Sequence, residues 1–266
     1  MVKIAIITYS VYGHITLLAR EIAKGIESTG NEVSIFRVAE TLSQEVLDQI
    51  HAPPPPKDIP VISADDLKNY DAFIIGIPTR FGNAPAQITN FFDSTGGLWA
   101  SGALYHKPVG LFTSTSSGGG KETTLRSALS WVTHQGMLYV PLGYAKVFGE
   151  LADISANQGA TPWGAGTIAG PDGSRLPTKN DLKIAYTQGE EFANVSAKLT
   201  GVPATKAPAK KSAAESTTEA AAGTTTGAAA AAATTEVKKA DAATAKPVEK
   251  KATPEEKSAA KCCVIM

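Results

Sequence analysis

Three short segments of this chain concentrate hydroxyl groups and glycines between apolar neighbours, and their types and spacing suit the binding of a small anionic ligand. The first is Ser10-Val11-Tyr12-Gly13-His14-Ile15, directly after the apolar run Lys3 to Thr8. Hydroxyls and main-chain N–H groups at a helix N-terminus attract an anion, because the first N–H groups lack a helical acceptor and the helix dipole adds positive potential. A monoester phosphate would need no Lys or Arg there. Ser is also a favoured helix cap, so capping is the other use open to Ser10. The second segment is Pro78-Thr79-Arg80-Phe81-Gly82-Asn83-Ala84-Pro85. Its prolines fix the chain, Gly82 permits a close backbone approach, and Arg80 and Phe81 offer a cation and an aromatic face. A rigid turn with a surface Arg is the plainer reading. The third is Ser114-Thr115-Ser116-Ser117-Gly118-Gly119-Gly120-Lys121-Glu122. Its Gly-Lys pair invites comparison with a nucleoside-triphosphate loop, but Thr115 stands where that motif needs Gly and Glu122 where it needs Ser or Thr. A backbone lined by glycine can instead meet the edge of a planar ring, or serve only as a flexible linker.

These segments need elements to hold them together. Apolar runs at Lys3 to Thr8, Glu32 to Arg37, Ala72 to Gly76, Val109 to Thr113 and Met137 to Val140 predict five strands. Between the first two, Ile15, Leu18, Ala19, Ile22, Ala23 and Ile26 recur at spacings of three and four, one apolar stripe of a helix ending near Gly30. Weaker stripes cover Pro85 to Asp93, Lys121 to His134 and Lys179 to Leu199. Strands alternating with helices imply an α/β protein, a doubly wound five-stranded parallel sheet with helices on both faces. A dinucleotide fold would want G-x-G-x-x-G after the first strand; a single Gly13 flanked by hydroxyls favours a flavodoxin-like sheet, of order 2-1-3-4-5, and a mononucleotide phosphate. The run Pro53 to Pro56 places a loop before the third strand, and Pro141 to Pro177 reads as a long irregular connection, of the kind that packs over a site.

Composition divides the chain. All three Trp, seven Tyr and eight Phe lie before Thr200, and from there to Met266 the residues are nearly all Ala, Thr, Lys, Glu, Ser and Pro. The expected organisation is a folded domain over 1–199, a disordered linker over 200–261 and a terminal motif at 262–266. Up to Thr200 there are 15 basic and 18 acidic residues, and after it 10 and 7, which argues against a nucleic-acid partner. No apolar run reaches membrane-spanning length, and the only cysteines are Cys262 and Cys263, so the body holds no disulfide, thiolate nucleophile or thiolate metal site. A cytoplasmic protein is expected.

Taken together, the three segments resemble the signature of the WrbA family, flavodoxin-like NAD(P)H:quinone oxidoreductases. The resemblance extends to Phe92-Asp93-Ser94-Thr95-Gly96-Gly97-Leu98-Trp99-Ala100-Ser101-Gly102-Ala103-Leu104, His134-Gln135-Gly136-Met137, Gly159-Ala160-Thr161-Pro162-Trp163-Gly164-Ala165 and Ile168-Ala169-Gly170-Pro171-Asp172-Gly173-Ser174-Arg175. It implies that Ser10 to Ile15 bind the phosphate of FMN and that Pro78 to Asn83 and Ser114 to Gly119 hold its ring and ribityl chain. It implies further that Tyr12 meets the nicotinamide of NADH or NADPH, Trp99 walls the quinone pocket and His134 borders the flavin from an adjacent subunit of a dimer or tetramer. The Gly-rich stretch Gly143 to Ser174 would then lie at an interface. Ping-pong, two-electron reduction of quinone, with no nucleophile and no metal beyond the flavin, is the activity the resemblance implies. The chain departs from the family at Thr115-Ser116-Ser117, often Thr-Gly-Thr, and at Lys121, often Gln. A histidine at the edge of the core and a packing tryptophan are the plainer readings of His134 and Trp99, and His51 and His106 read as surface residues. A one-electron carrier and a membrane-associated stress or scaffold protein are the other functions open.

The chain ends Lys261-Cys262-Cys263-Val264-Ile265-Met266, and Cys263 to Met266 form a C-a-a-X box whose final Met favours a farnesyl group. One chain anchors weakly, so palmitate on Cys262 is the expected second signal, with the protein peripheral on the cytoplasmic face of a membrane. Lipidated tails of this kind resemble the fungal branch of the family.

Overall fold

The computed structural model describes residues 1–155 and 157–201. Its frame is a parallel sheet in which β1 (Lys3–Thr8) lies between β2 (Glu32–Arg37) and β3 (Ala72–Pro78), followed by β4 (Pro108–Thr115) and β5 (Leu138–Tyr139), in the order β2-β1-β3-β4-β5. In register, Ile6 faces Ile35 on one side and Ile74 on the other, and Ile75 faces Leu111. The central strands are buried on both faces, which is why they read as unbroken apolar runs. Alternate side chains divide between two cores. Ile4, Ile6, Ile74 and Phe112 pack under α1 (His14–Glu27) and α7 (Lys179–Leu199). Ala5, Ile7, Phe73 and Leu111 pack under α3 (Ala86–Asp93) and α5 (Lys121–His134).

Three short helices carry no periodic signal in the sequence: α2 (Gln44–Gln49), α4 (Gly96–Ser101) and α6 (Phe148–Ala152). A 3-10 turn, Asp65–Asn69, precedes β3.

The fifth position of the sheet differs from the single strand expected at Met137 to Val140. Leu138–Tyr139 pairs only with Pro108 and Val109 at the start of β4, and the end of β4 is covered by β6 (Gly166–Ile168), paired with Thr113 to Thr115. Two short strands therefore share one edge, and the connection read as irregular contains both α6 and β6. Its glycines have a local reason. A Cβ on Gly164 would lie 2.0 Å from the Leu111 carbonyl oxygen, and one on Gly159 would lie 2.1 Å from Thr167 Cα. This part of the stretch is pressed backbone to backbone against its own sheet. It leads into α7, whose first turn is closed by a capping box between Thr178 and Asp181.

Candidate functional site

All three hydroxyl-rich segments leave the C-terminal ends of β1, β3 and β4, neighbours in the sheet, so the fold brings them to one end. In the first, the residue that opens α1 is Gly13, with φ of 88°, and no side chain caps the helix. Ser10 is therefore not the cap that its residue type also allows. From Ser10 through Thr16 no main-chain N–H finds an acceptor among the described residues; the first to do so is Leu17, which donates to Gly13 O at 2.9 Å. A row of such donors and the Ser10 hydroxyl at the positive end of a helix fits a phosphate monoester. Space is open around Gly13, where an added Cβ would meet nothing within 4 Å. Tyr12 is half exposed, its hydroxyl donating to Ile50 O at 3.0 Å.

The second segment begins where Thr79 N–H donates to Ser114 O at 2.9 Å. Arg80 and Asn83 exchange main-chain hydrogen bonds of 2.8 Å each, and Phe81 and Gly82 between them have φ of 51° and 77°. Two left-handed residues in a two-residue loop make a type I′ turn. Its tip carries Phe81, 97% exposed. In the third, Ser114 and Thr115 are the buried last residues of β4, Thr115 Oγ1 donates to Gly119 O at 2.8 Å, and Ser116 and Ser117 are exposed. The second and third segments touch through glycine. A Cβ on Gly120, the residue that opens α5, would lie 2.8 Å from Thr79 Oγ1 and 3.0 Å from Gly82 Cα. Gly118 and Gly120 also have positive φ, so the third segment presents main chain rather than side chains. The residues present thus suit a phosphorylated planar cofactor such as FMN: donors for phosphate, hydroxyls for a polyol, and a glycine-lined cradle for a ring edge.

Lys121 is tied to another part of the chain. Its ammonium donates to Gln158 O at 2.8 Å, on the segment between α6 and β6. A cavity of about 370 Å³ lies between the third segment and the stretch after α6, lined among others by Ser117, Gly118, Lys121, Asn157 and Ile168.

A fourth segment, Ala169 to Arg175, joins the site with no role readable from its residue types. It closes on itself through Arg175 N–H to Ala169 O at 2.9 Å, and Arg175 O lies 3.1 Å from His14 Nε2. Burial pushes the His14 imidazole below its ordinary value, partly offset by the carbonyls of Arg175 and Gly173. The Gly-Pro-Asp-Gly string in this segment is the one signal that marks it; its partner in space is not readable from the sequence.

Trp99 and His134 lie elsewhere. α5 begins beside the third segment and His134 ends it, ~20 Å away along the helix axis at 1.5 Å per residue. Thr95, which opens α4, accepts from Trp131 Nε1 at 3.0 Å and from Gln135 Nε2 at 2.9 Å, so the helix bearing Trp99 starts at that same far end. Trp99 is 62% exposed, which excludes the packing role within its own chain. His134 is exposed too, its Nδ1 2.7 Å from Ser130 O, and is not a core-edge histidine. His51 and His106 are exposed, as expected. Cys262 and Cys263 lie outside the described residues. Among the described residues there is no cluster of groups able to hold a metal ion, and no helix is long and apolar enough to cross a membrane.

Comparison with known proteins gives the family and the fold. A family model for NADPH-dependent FMN reductase matches residues 2–148. An NAD(P)H quinone oxidoreductase of Candida albicans, YCP4, is 53% identical over 198 residues, covering 74% of this chain and 69% of its own. Protoplast secreted protein 2 of Saccharomyces cerevisiae is 50% identical over 198 residues, 74% of this chain and all of its own. The crystal structure of a WrbA-like flavodoxin from Agrobacterium tumefaciens shares the fold, with a TM-score of 0.51 and 23% identity over 74% of this chain and 99% of that one. A match over more than half of the chain, with relatives at this identity over two thirds of their length or more, is decisive: the chain belongs to the NADPH-dependent FMN reductase family, beside proteins named as NAD(P)H quinone oxidoreductases.

Proposed function

We propose that this protein is an NAD(P)H:quinone oxidoreductase that binds FMN at the C-terminal ends of β1, β3 and β4 and passes two electrons from NADH or NADPH to a quinone. The observation that carries this is the row of unpartnered N–H groups from Ser10 to Thr16, set beside a glycine-lined cradle at Gly82 and Gly120. Bound FMN would supply the hydride chemistry. The chain's own residues do the rest. Ser10 and the main chain to Ile15 hold the phosphate without a cation, Thr79 and Asn83 with Ser114 to Gly119 seat the polyol and ring, and the turn at Arg80 to Asn83 keeps Phe81 at the mouth. Tyr12 faces the nicotinamide. No side chain is required to carry a proton or form a bond to substrate, so donor and quinone use one pocket in turn. The matching relatives named as quinone oxidoreductases support the same reading.

The purified protein is expected to show a visible flavin spectrum, bleached by NADH or NADPH and restored by benzoquinone, with parallel double-reciprocal plots. Intersecting plots would remove the shared pocket, and a bound flavin inert to both nucleotides with every benzoquinone tried would refute the assignment.

The working form is an oligomer, a dimer or tetramer, because Trp99 and His134 reach a flavin site only from another subunit. Farnesylation at Cys263 with palmitate at Cys262 would hold it to the cytoplasmic face of a membrane, where lipid-soluble quinones are found. Mass spectrometry of the C-terminal peptide from native cells should show both lipids and loss of Val264 to Met266. Free thiols followed by an intact Met266 would remove the membrane from the proposal.

A further inference from the structure

Glu40 lies just beyond β2, in none of the segments assigned to the cofactor, yet its carboxylate joins residues that flank two of them. Tyr9, the buried residue immediately before Ser10, donates its hydroxyl to Glu40 Oε2 at 2.9 Å. Gln87, buried in the first turn of α3 just after Pro85 closes the second segment, donates its amide to Oε1 at 2.7 Å. The same Oε1 accepts the main-chain N–H groups of Thr41 and Leu42 at 2.8 and 3.0 Å, which fixes the carboxylate against its own backbone. Val38 N–H, two residues earlier, donates to Thr8 O at 2.9 Å, so the support stands directly beside the end of β1. α3 has no side-chain cap of its own, and a negative charge near its first turn also suits its dipole.

We propose that Glu40 is a positioning residue for the flavin site: a clasp that sets the spacing between the phosphate-binding segment, through Tyr9, and the ring-binding segment, through Gln87. This rests on the reading that FMN occupies those segments. A phosphate and a ring joined by one ribityl chain can be met together only if the two segments stand at a separation that chain spans, and the segments make no direct side-chain hydrogen bond to each other among the described residues. Hydrogen bonds to a carboxylate are about twice as strong as neutral ones, so a single acceptor can hold both roots.

The test titrates FMN into the full-length apoprotein and reads flavin fluorescence. Tyr9→Phe deletes one oxygen atom and Glu40→Gln removes the charge at constant shape. Each is expected to weaken FMN binding by about tenfold, the loss of a hydrogen bond to a charged group. The double variant should bind no more weakly than Glu40→Gln alone, and both single variants should shift the visible circular dichroism of the bound flavin in the same sense. A purely structural tie would lower the apoprotein's urea midpoint and leave the bound flavin's spectrum unchanged. Unaltered FMN affinity in the single variants, unaltered flavin dichroism, or losses that multiply in the double variant overturn the clasp. Should Glu40→Gln not fold, Tyr9→Phe paired with Gln87→Leu carries the same comparison. A wild-type chain that binds no FMN instead fails the assignment of the cofactor itself, so the two failures are separable.

Discussion

Phe81 pays a conformational cost with no burial in return. A phenylalanine at φ of 51° sits in a region that costs an L-residue about 1–2 kcal/mol, and with 97% of its surface exposed it gains almost nothing from packing within the chain. Phe81→Gly should therefore raise the stability of the apoprotein by about 1 kcal/mol in urea denaturation and, if the ring works at the pocket mouth, raise the KM for quinone in the same protein. A variant that is more stable and kinetically unchanged would remove Phe81 from the site. Gly13 and Gly120 make a second contrast. Both have positive φ, but only at Gly120 would a Cβ strike Thr79 Oγ1 and Gly82 Cα. Gly120→Ala should cost about 3 kcal/mol and abolish FMN binding, whereas Gly13→Ala should cost about 1 kcal/mol of backbone strain; equal losses would mean that the two segments do not need to touch. His14 adds a pH dependence of definite sign. Its burial favours the neutral ring, so the folded state binds fewer protons than the unfolded one between its lowered value and the ordinary 6.5. Apoprotein stability should be full above that ordinary value and fall as the pH drops below it, and the urea midpoint of His14→Gln should fall less over the same interval. At this scale the sequence was informative where residue type alone implies chemistry, as with the hydroxyls and glycines of the three segments. Glu40 was not legible, because a lone glutamate between Ala39 and Thr41 says nothing until β2 ends beside β1 and α3 starts opposite. The direction of Lys121 was not legible either, since its proximity in sequence to the third segment does not decide that its ammonium goes to Gln158 O.

Helices and strands with long periodic or apolar signals were legible nearly to the residue, and β1, β2, α5 and α7 begin and end where their patterns do. What the patterns lacked was any trace of α2, α4 and α6, which are too short for a full stripe, and of the divided edge at β5 and β6. Gly159 and Gly164 mark that edge physically, since any side chain would strike the main chain they lie against, but glycine in a loop reads as irregularity when the neighbouring strand is unknown. The crossing of α1 and α7 shows the same blindness. A Cβ on Gly25 would lie 2.1 Å from Tyr186 O, and one on Gly189 would lie 2.1 Å from Ile22 O, so the two helices meet main chain to main chain. Within a helical stripe a glycine is only a weak position, worth about 1 kcal/mol less than alanine. Here the ordinary ranking inverts. Gly189→Ala, which improves helix propensity, should destabilise the protein by about 3 kcal/mol or more, because the helices must separate over their whole contact. A neutral or stabilising result in thermal and urea unfolding would show that α7 rides on α1 loosely. Since α7 also carries Asp181, which accepts from Thr167 on β6 at 3.0 Å, separation of the helices should reach the divided edge and, through Arg175, the His14 end of the phosphate segment.

At the scale of the whole molecule, the residues proposed for the site are not gathered within one chain. The three segments and the Ala169 to Arg175 loop stand at one end of the sheet, while Trp99 and His134 stand at the other, exposed, with no partner among the described residues that explains a large aromatic left 62% in solvent. The resemblance implies an adjacent subunit for His134 and names none for Trp99; the length and direction of α5 are what separate His134 from the segments on its own chain. If a second copy provides Trp99 and His134, catalysis is a property of the assembly and two different lesions can complement each other. One parent would carry Gly120→Ala, which spoils the cradle but leaves its own Trp99 and His134 intact. The other would carry Trp99→Ala with His134→Ala, which leaves the cradle intact but offers its neighbours nothing. Each alone should have little quinone reductase activity. Co-expressed with different affinity tags and purified through both, mixed oligomers contain some sites with an intact cradle facing an intact Trp99 and His134. In a dimer, one of two sites is expected to be restored, to about half of wild-type activity per oligomer. If every mixed oligomer stays as inactive as its parents, while each parent still assembles, the two ends do not meet across subunits, and the exposure of Trp99 and His134 must be explained by a surface outside the reaction.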